Sequence, residues 1–365
     1  MNDTHLKSIL ITGGTGTFGR SFAKTVLENY PHIEKVVIFS RDEFKQFEMS
    51  NLDWCQKHQK RLRFFVGDVR DKDRLLRAFS GIDVVVHAAA LKQIPSCEYN
   101  PFEAIKTNVW GAQNVIEAAL DCKVKRVVAL STDKACSPIN LYGATKLCSD
   151  KLFISANSYA GLQDTRFAVV RYGNVTGSRG SLIPFFQKLV EAKADSMPIT
   201  DERMTRFWLN IHEAVDLVLL ALNNTLGGEI FVPKIPSVKI TDIAKAIAPH
   251  IPIKIIGIRP GEKIHEKMIS IDDARNTIEF DNYFVIQPDL NLSWAKRTKA
   301  GLKGTKVSPD FEYHSGNNTD WLNVDQVRKL IKKLNPENAN SNRNLNDKVT
   351  MNNPQNVTIN IYESK

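Results

Sequence analysis

Six short β-branched runs set the narrowest limit on what this chain can fold into: SILIT (8–12), KVVIFS (35–40), RFFVGD (63–68), VVVHAAA (84–90), RVVALS (126–131) and FAVVRYG (167–173). Each is apolar on both faces, as a strand buried between two helix layers must be. Segments long enough for a crossover helix separate them, and such connections build parallel sheets. The spacing therefore predicts an α/β fold, a Rossmann-type doubly wound parallel sheet. Beyond about residue 175 the rhythm weakens, and proline punctuates SLIPFF, EIFVPKIPSVKI and IGIRPGEK. These pieces suggest a smaller C-terminal lobe over the carboxyl edge of the sheet. The expected division is residues 1–175 for the sheet domain, with some later segments returning to it, 176–334 mainly for the second lobe, and 335–365 for a mobile Asn-rich tail. The closing VTINIYESK alternates apolar and polar residues and is a candidate edge strand.

Apolar and charged fractions of 42% and 24% are those of an ordinary soluble globule with ample core. No run approaches the roughly 18 apolar residues of a membrane span, so a cytoplasmic, untargeted chain is expected. The five cysteines are odd in number and include no C-x-x-C pair, which points to free thiols and to no metal. A net charge of +9 raises nucleic acid as a partner, but no basic run is interleaved with aromatics. Much of the excess lies in AKRTKAGLKGTK (295–306), expected to be a solvated loop.

ITGGTGTFGR follows the first run and opens a helix, with Gly13, Gly16 and Gly19 at three-residue intervals and Thr15, Thr17 and Phe18 between them. Such a turn lets the backbone approach a pyrophosphate, and the helix N-terminus presents free N–H groups to it. A glycine-rich turn without a ligand is the plainer alternative, but its place between strand and helix favours a dinucleotide. At the end of the second run, Asp42 stands where a ribose 2′-hydroxyl is usually bound, and Arg41 suits a 2′-phosphate. With Ser40 and Lys45 beside it, Arg41 tips the expectation from NAD towards NADP. GDVRD offers Asp68 and Val69 for an adenine, and HAAA offers small Ala88 and Ala89 where the cofactor passes close. In this order, followed by TNVWGAQN from Thr107 and by Tyr142-x-x-x-Lys146, the segments resemble the extended short-chain dehydrogenase/reductases over residues 8–270. The same resemblance assigns Val175 to the cofactor.

STDKACSPINLYGATK places Asp133 and Lys134 shortly before Tyr142 and Lys146. In the resembling fold Tyr142 takes the proton of a hydroxyl as hydride leaves its carbon. A free phenol, with a pKa near ~10, is too weakly acidic to serve as a base at neutral pH. Lys146, one turn on, and a positive nicotinamide are expected to lower it. Ser131 or Thr132 is placed to hydrogen-bond the same oxygen. Asp133 and Lys134 are then surplus to simple oxidation and imply a second reaction. Oxidising a sugar at C4 acidifies the C5 hydrogen and leaves the C6 hydroxyl β to a carbonyl. Elimination then requires a base at C5 and an acid at the C6 oxygen.

Six long stretches carry a closer resemblance: HAAALKQIPSCEYNP, LSTDKACSPINLYGATK, RYGNVTGSRGSLIPFF, ITDERMTRFW, GGEIFVPKIP and IGIRPGEKIHE. With FEYHSGNNTDWLNVDQVRKLI they make residues 8–334 similar to the inverting UDP-N-acetylglucosamine 4,6-dehydratases, including those that begin pseudaminic acid biosynthesis. The resemblance implies that Tyr142 deprotonates the C4 hydroxyl, Lys134 removes the C5 proton, Asp133 protonates the departing C6 hydroxyl, and Thr132 and Lys146 assist Tyr142. Retaining dehydratases carry Glu where this chain has Lys134. A neutral lysine there needs a lowered pKa, expected from burial and the oxidised nicotinamide. Lys92, Asn174, Ser181, Arg206, Arg259 and Glu262 are implied to bind the UDP-sugar. Further implications are a tightly bound, recycled NADP, a homo-oligomer, and a role in pseudaminic acid or related surface-sugar synthesis, flagellin glycosylation included. Met204 and Trp208 are expected to pack the second lobe, and His87 to be a core histidine. A UDP-sugar 4-epimerase and a retaining dehydratase are the enzymatic alternatives. A non-catalytic NADP-binding sensor needs damage at the catalytic positions, and none is present.

Overall fold

In the computed structural model the β-branched runs pair in parallel as β1 (Ser8–Thr12), β2 (Lys35–Ser40), β3 (Leu62–Val66), β4 (Val84–His87), β5 (Arg126–Thr132) and β6 (Arg166–Tyr172). Residues 3–161, 163–176, 182–289 and 293–334 are described. All five residues of β1 and all four of β4 are buried, which their two-sided apolarity requires. The order runs β3-β2-β1-β4-β5-β6, so the chain reverses direction across the sheet between β1 and β4. Doubly wound sheets bind ligands at that switch, beyond the carboxyl ends of the strands.

Later segments return to this sheet and bring it to ten strands among the described residues. Ile230–Pro233 joins β6 in parallel, followed by the antiparallel strands Tyr283–Ile286, Thr277–Glu279 and Thr305–Lys306. The remaining material forms a second core of Ile183, Phe186, Met204, Trp208, Val327 and their neighbours, separate from the sheet core. Short pairs frame it, among them Thr205–Phe207 with Ser237–Lys239.

The expected solvated loop at 295–306 is instead the helix Ser293–Gly301 and the edge strand Thr305–Lys306. Ala295 and Thr298 are buried, and Thr298 Oγ1 donates to the Gly227 carbonyl at 2.9 Å, so an inward face overrides the basic composition. The Asn-rich tail, with its candidate edge strand, lies outside the described residues. Among those described, no helix is long and apolar enough to cross a membrane. All five cysteines are free; Cys136 is buried and Cys148 exposed. His87 is buried at the end of β4, with Nδ1 2.8 Å from Thr12 Oγ1.

Candidate active site

A cleft of about 1330 Å³ lies over the carboxyl ends of the strands, walled by the sheet domain on one side and the second lobe on the other. It exceeds the roughly 300–1,000 Å³ of most small-molecule pockets, leaving space for a dinucleotide and a second ligand. Gly13, Thr15, Gly16, Thr17, Phe18 and Gly19 line one end. Gly13 has φ +66°, and a Cβ there would lie 2.9 Å from the backbone of Ala89. This close crossing of the β1 and β4 turns needs glycine and a small neighbour. No side chain caps the helix Thr17–Asn29, whose N-cap is Gly16, so its first amides keep their donor capacity. This cradle fits a pyrophosphate.

Ser40, Arg41, Asp42, Lys45, Val69, Ala88, Ala89 and Val175 line the same region. Asp42 is already engaged: it caps the helix Glu43–Ser50 through the Lys45 amide at 3.0 Å, and its carboxylate meets Lys45 Nζ at 2.7 Å. Arg41, half exposed, lies 3.6 Å from Asp68 Oδ2. Asp68 is held chiefly by Arg70, 2.8 Å away, and Val69 rather than Asp68 forms the cleft wall.

The other end is built on the turn after β5 and on the helix Leu141–Tyr159. Asn140 caps that helix, accepting the Gly143 amide at 2.8 Å, and donates to the Gly261 carbonyl of the second lobe at 2.9 Å. Gly143 is needed because a Cβ there would sit 2.2 Å from the Lys134 carbonyl oxygen. The helix and the Asp133–Lys134 turn thus touch through main chain, and Tyr142 and Lys146 share one helix face at the floor of the cleft. The Lys134 ammonium reaches Asp133 Oδ1 at 3.0 Å, Asn174 Oδ1 at 3.2 Å and Glu266 Oε1 at 3.2 Å. Thr132 Oγ1 donates to Asp133 Oδ1 at 3.0 Å. Lys92, Arg206, Arg259 and Glu262 also line the cleft, Arg259 at its exposed rim and 3.9 Å from Glu262. Ser181 lies outside the described residues.

Electrostatics depart from expectation at two residues. Burial pulls the Lys134 ammonium down, yet Asp133 and Glu266 outweigh it, and its pKa stands above the ordinary lysine value rather than below. Tyr142 is pushed up to about 12 by burial; Lys134 and the Thr132 hydroxyl only partly offset this. The two-carboxylate surroundings of Lys134 and the desolvation of Tyr142 are both tertiary facts, and both describe the cleft without a cofactor. Burial also pushes the Asp133 carboxyl up, helped by Glu266 and opposed by Lys134. Lys146 is lowered by burial against the pull of Asp150. Of the two hydroxyls considered for Tyr142, Thr132 is the one beside it, whereas Ser131 Oγ donates to Asp150 Oδ2 at 2.7 Å. Asp150, on the same helix, is in turn paired with buried Arg171 at 3.3 Å.

Glu266 escaped the sequence reading. It is 2% exposed, and its Oε1 lies 3.8 Å from Arg206 Nε as well as 3.2 Å from Lys134. Its one local signal was its place in the charged stretch EKIHEK, which did not set it apart from Glu262.

Comparison with known proteins agrees with this architecture. Residues 9–288 match the family described as polysaccharide biosynthesis protein. A Campylobacter jejuni protein named UDP-N-acetylglucosamine 4,6-dehydratase (inverting) is 54% identical over 329 residues, covering 89% of this chain and 97% of that protein. A UDP-glucose 4-epimerase of Rickettsia canadensis is 40% identical over 336 residues, covering 90% and 96%. Among solved structures, Pen from Bacillus thuringiensis superposes with a TM-score of 0.79 at 36% identity, over 90% of this chain and 98% of that one.

Proposed function

The chain belongs to the polysaccharide biosynthesis protein family, and from that membership we propose that it is an inverting UDP-N-acetylglucosamine 4,6-dehydratase. The observation that carries the reading is Lys134 in the cleft wall with fully buried Asp133 3.0 Å behind it, a pair that a plain 4-epimerase has no use for. The 54% identity to a protein of that name supports it.

NADP is the proposed cofactor. Its diphosphate would lie on the Gly13–Gly19 turn and its 2′-phosphate beside Arg41 and Ser40, since the Asp42 carboxylate is taken by Lys45. When bound, the nicotinamide supplies a reversible store for the C4 hydride. Tyr142 accepts the C4 hydroxyl proton, and the positive charge of a bound oxidised nicotinamide would draw its high pKa down. Lys134 removes the C5 proton, now α to a carbonyl. Asp133, pushed towards its protonated form by burial, donates to the C6 oxygen as water leaves. Return of hydride to C6 and of a proton to the opposite face of C5 gives UDP-2-acetamido-2,6-dideoxy-β-L-arabino-hex-4-ulose. Lys92, Asn174, Arg206, Arg259 and Glu262 are the proposed UDP-sugar contacts, with arginine suited to the diphosphate. We place the reaction in the cytoplasm, at the first step of pseudaminic acid or a related surface sugar, in a homo-oligomer.

The test is incubation of the purified protein with UDP-N-acetylglucosamine and NADP in deuterated water, followed by proton NMR. A 6-methyl signal, deuterium at C5 and arabino couplings are expected. Xylo couplings would mean retention, and a galacto product without a methyl group would mean epimerisation; either overturns the assignment.

A further inference from the structure

The second lobe reaches the Asp133–Lys134 turn through the loop of residues 256–263, which follows the strand Ile253–Ile255 and carries Arg259 and Glu262, two of the proposed UDP-sugar contacts. Two hydrogen bonds among the described residues tie this loop to the sheet domain. Asn140 Nδ2 donates to the Gly261 carbonyl at 2.9 Å, and Lys263 Nζ donates to the Cys136 carbonyl at 2.7 Å. Between the two points of attachment lies Ser137, a non-glycine residue with φ +48°. Backbone in this left-handed region persists where its surroundings over-determine it. The loop therefore holds a strained turn on both sides. Cys136 also binds back towards the reacting groups, its amide donating to the Asp133 carbonyl at 3.2 Å, so the bond from Lys263 is one peptide removed from the Asp133–Lys134 main chain.

Plainer roles for Lys263 fit less well. Its side chain is half-buried and does not line the cleft, so it is not placed to touch the sugar nucleotide. Its ammonium bonds a main-chain carbonyl rather than a carboxylate, which is not how a simple ion pair between lobes is built. Burial pushes that ammonium down, with Glu266, Cys136 and Asp133 pulling it back up, and loss of the carbonyl would leave a half-buried cation without its acceptor.

We propose that Lys263 is a positioning residue of the elimination step, holding the Asp133–Lys134 turn from the same loop that carries Arg259 and Glu262, so that binding of the UDP diphosphate sets the turn. The inference rests on the reading of Arg259 and Glu262 as UDP-sugar contacts. The loop has the geometry to respond. A Cβ at Gly257, where φ is +88°, would meet nothing within 4 Å, and Arg259 stands at the exposed rim with Glu262 no nearer than 3.9 Å. A diphosphate that draws Arg259 inwards draws Lys263 with it, four positions along the same loop, and presses the Cys136 carbonyl and the turn behind it into place. Tyr142 depends on this less, because Asn140 caps its helix through the Gly143 amide without help from Lys263. C4 oxidation and elimination should then separate.

The experiment compares wild type, Lys263→Met and Lys263→Arg, all loaded with NADP, in two arms. In the first, UDP alone is the probe, its affinity is read by calorimetry, and amide hydrogen exchange is followed over residues 134–138. UDP should slow exchange there about tenfold in wild type and in Lys263→Arg, and should leave it unchanged in Lys263→Met although UDP still binds. In the second arm, UDP-N-acetylglucosamine is turned over. Formation of the 6-methyl group should fall about tenfold in Lys263→Met, with reduced nicotinamide accumulating in the near-ultraviolet because oxidation continues, and Lys263→Arg should recover most of the rate. Equal protection by UDP in wild type and Lys263→Met overturns the proposal, as does an equal loss of oxidation and elimination, which is what mere packing between lobes would give. Should Lys263→Met not fold, Lys263→Gln decides by the same two readouts. A wild type that binds UDP but forms no methyl group overturns the dehydratase reading, while the exchange arm still decides the coupling; a wild type that does not bind UDP overturns both.

Discussion

At the cofactor end of the cleft the contacts come from main chain and small side chains of consecutive turns, whereas at the sugar end they come from long charged side chains gathered from distant segments. Gly13 and Ala89 meet backbone to backbone, but Lys134, Arg206 and Glu266 meet only through their side-chain tips. The first end is fixed once the sheet forms. The second depends on which of its groups hold protons, so it answers to pH, to charge and to the occupant of the cleft. Tyr142 stands where the two ends join, and replacing it should have the largest effect. Tyr142→Phe removes the proposed C4 base without changing the packed ring, so C4 oxidation should fall by about 10²–10⁴-fold with the fold intact by circular dichroism. A variant that still oxidises at the wild-type rate would move the base to another residue and separate the two ends.

Gly13→Ala tests the rigid end. The added Cβ would lie 2.9 Å from Ala89 at a left-handed φ of +66°. Overpacking and the unfavourable backbone together should cost about 3 kcal/mol in urea denaturation and weaken cofactor binding. By contrast, a change confined to the sugar end, such as Glu266→Gln, should leave cofactor affinity alone. If Gly13→Ala binds the cofactor normally, the main-chain account of that end fails.

His87 joins the two ends from below, linked to Thr12 at 2.8 Å across the β1–β4 switch. Burial, helped by the Lys146 charge, pushes its pKa from 6.5 down to about 3. The unfolded chain therefore binds a proton that the folded chain refuses between these two values. Stability from this residue is fully present above pH 6.5 and is lost as pH falls towards 3. At pH 5 the loss should be about 2 kcal/mol. Denaturation of wild type and His87→Gln at pH 7 and pH 5 checks this, since the variant's own decline should be shallower by that amount.

The contrast between the ends also explains what could be read from the sequence. The strands, the glycine turn and the Tyr142–Lys146 pair are local patterns, and β1, β2 and β5 appear within a residue of the runs that announced them. Lys134 was legible as a chemical residue but not as an ammonium held up by two carboxylates, because one of those carboxylates lies 132 positions away in the chain. Glu266 was silent for the same reason: its meaning arises only when the second lobe folds over the sheet. The helix at Ser293–Gly301 was hidden differently, its buried Ala295 and Thr298 outnumbered by lysines and arginine.

The smallest effect expected is at Arg41, and it bears on whether the cofactor end is wholly a main-chain site. Its guanidinium is half exposed and only 3.6 Å from Asp68, so a phosphate would compete with an existing partner in a screened setting. Loss of the side chain should therefore weaken NADP binding by about tenfold, or ~1.4 kcal/mol, rather than abolish it. NAD binding should hold in Arg41→Ala, because NAD lacks the 2′-phosphate that Arg41 would meet. Titration of both cofactors by calorimetry, at low and high salt, separates the outcomes. A tenfold loss for NADP that shrinks with salt places one charged side chain among the backbone contacts, whereas equal loss of NAD and NADP would mean that Arg41 supports the turn itself through Asp68.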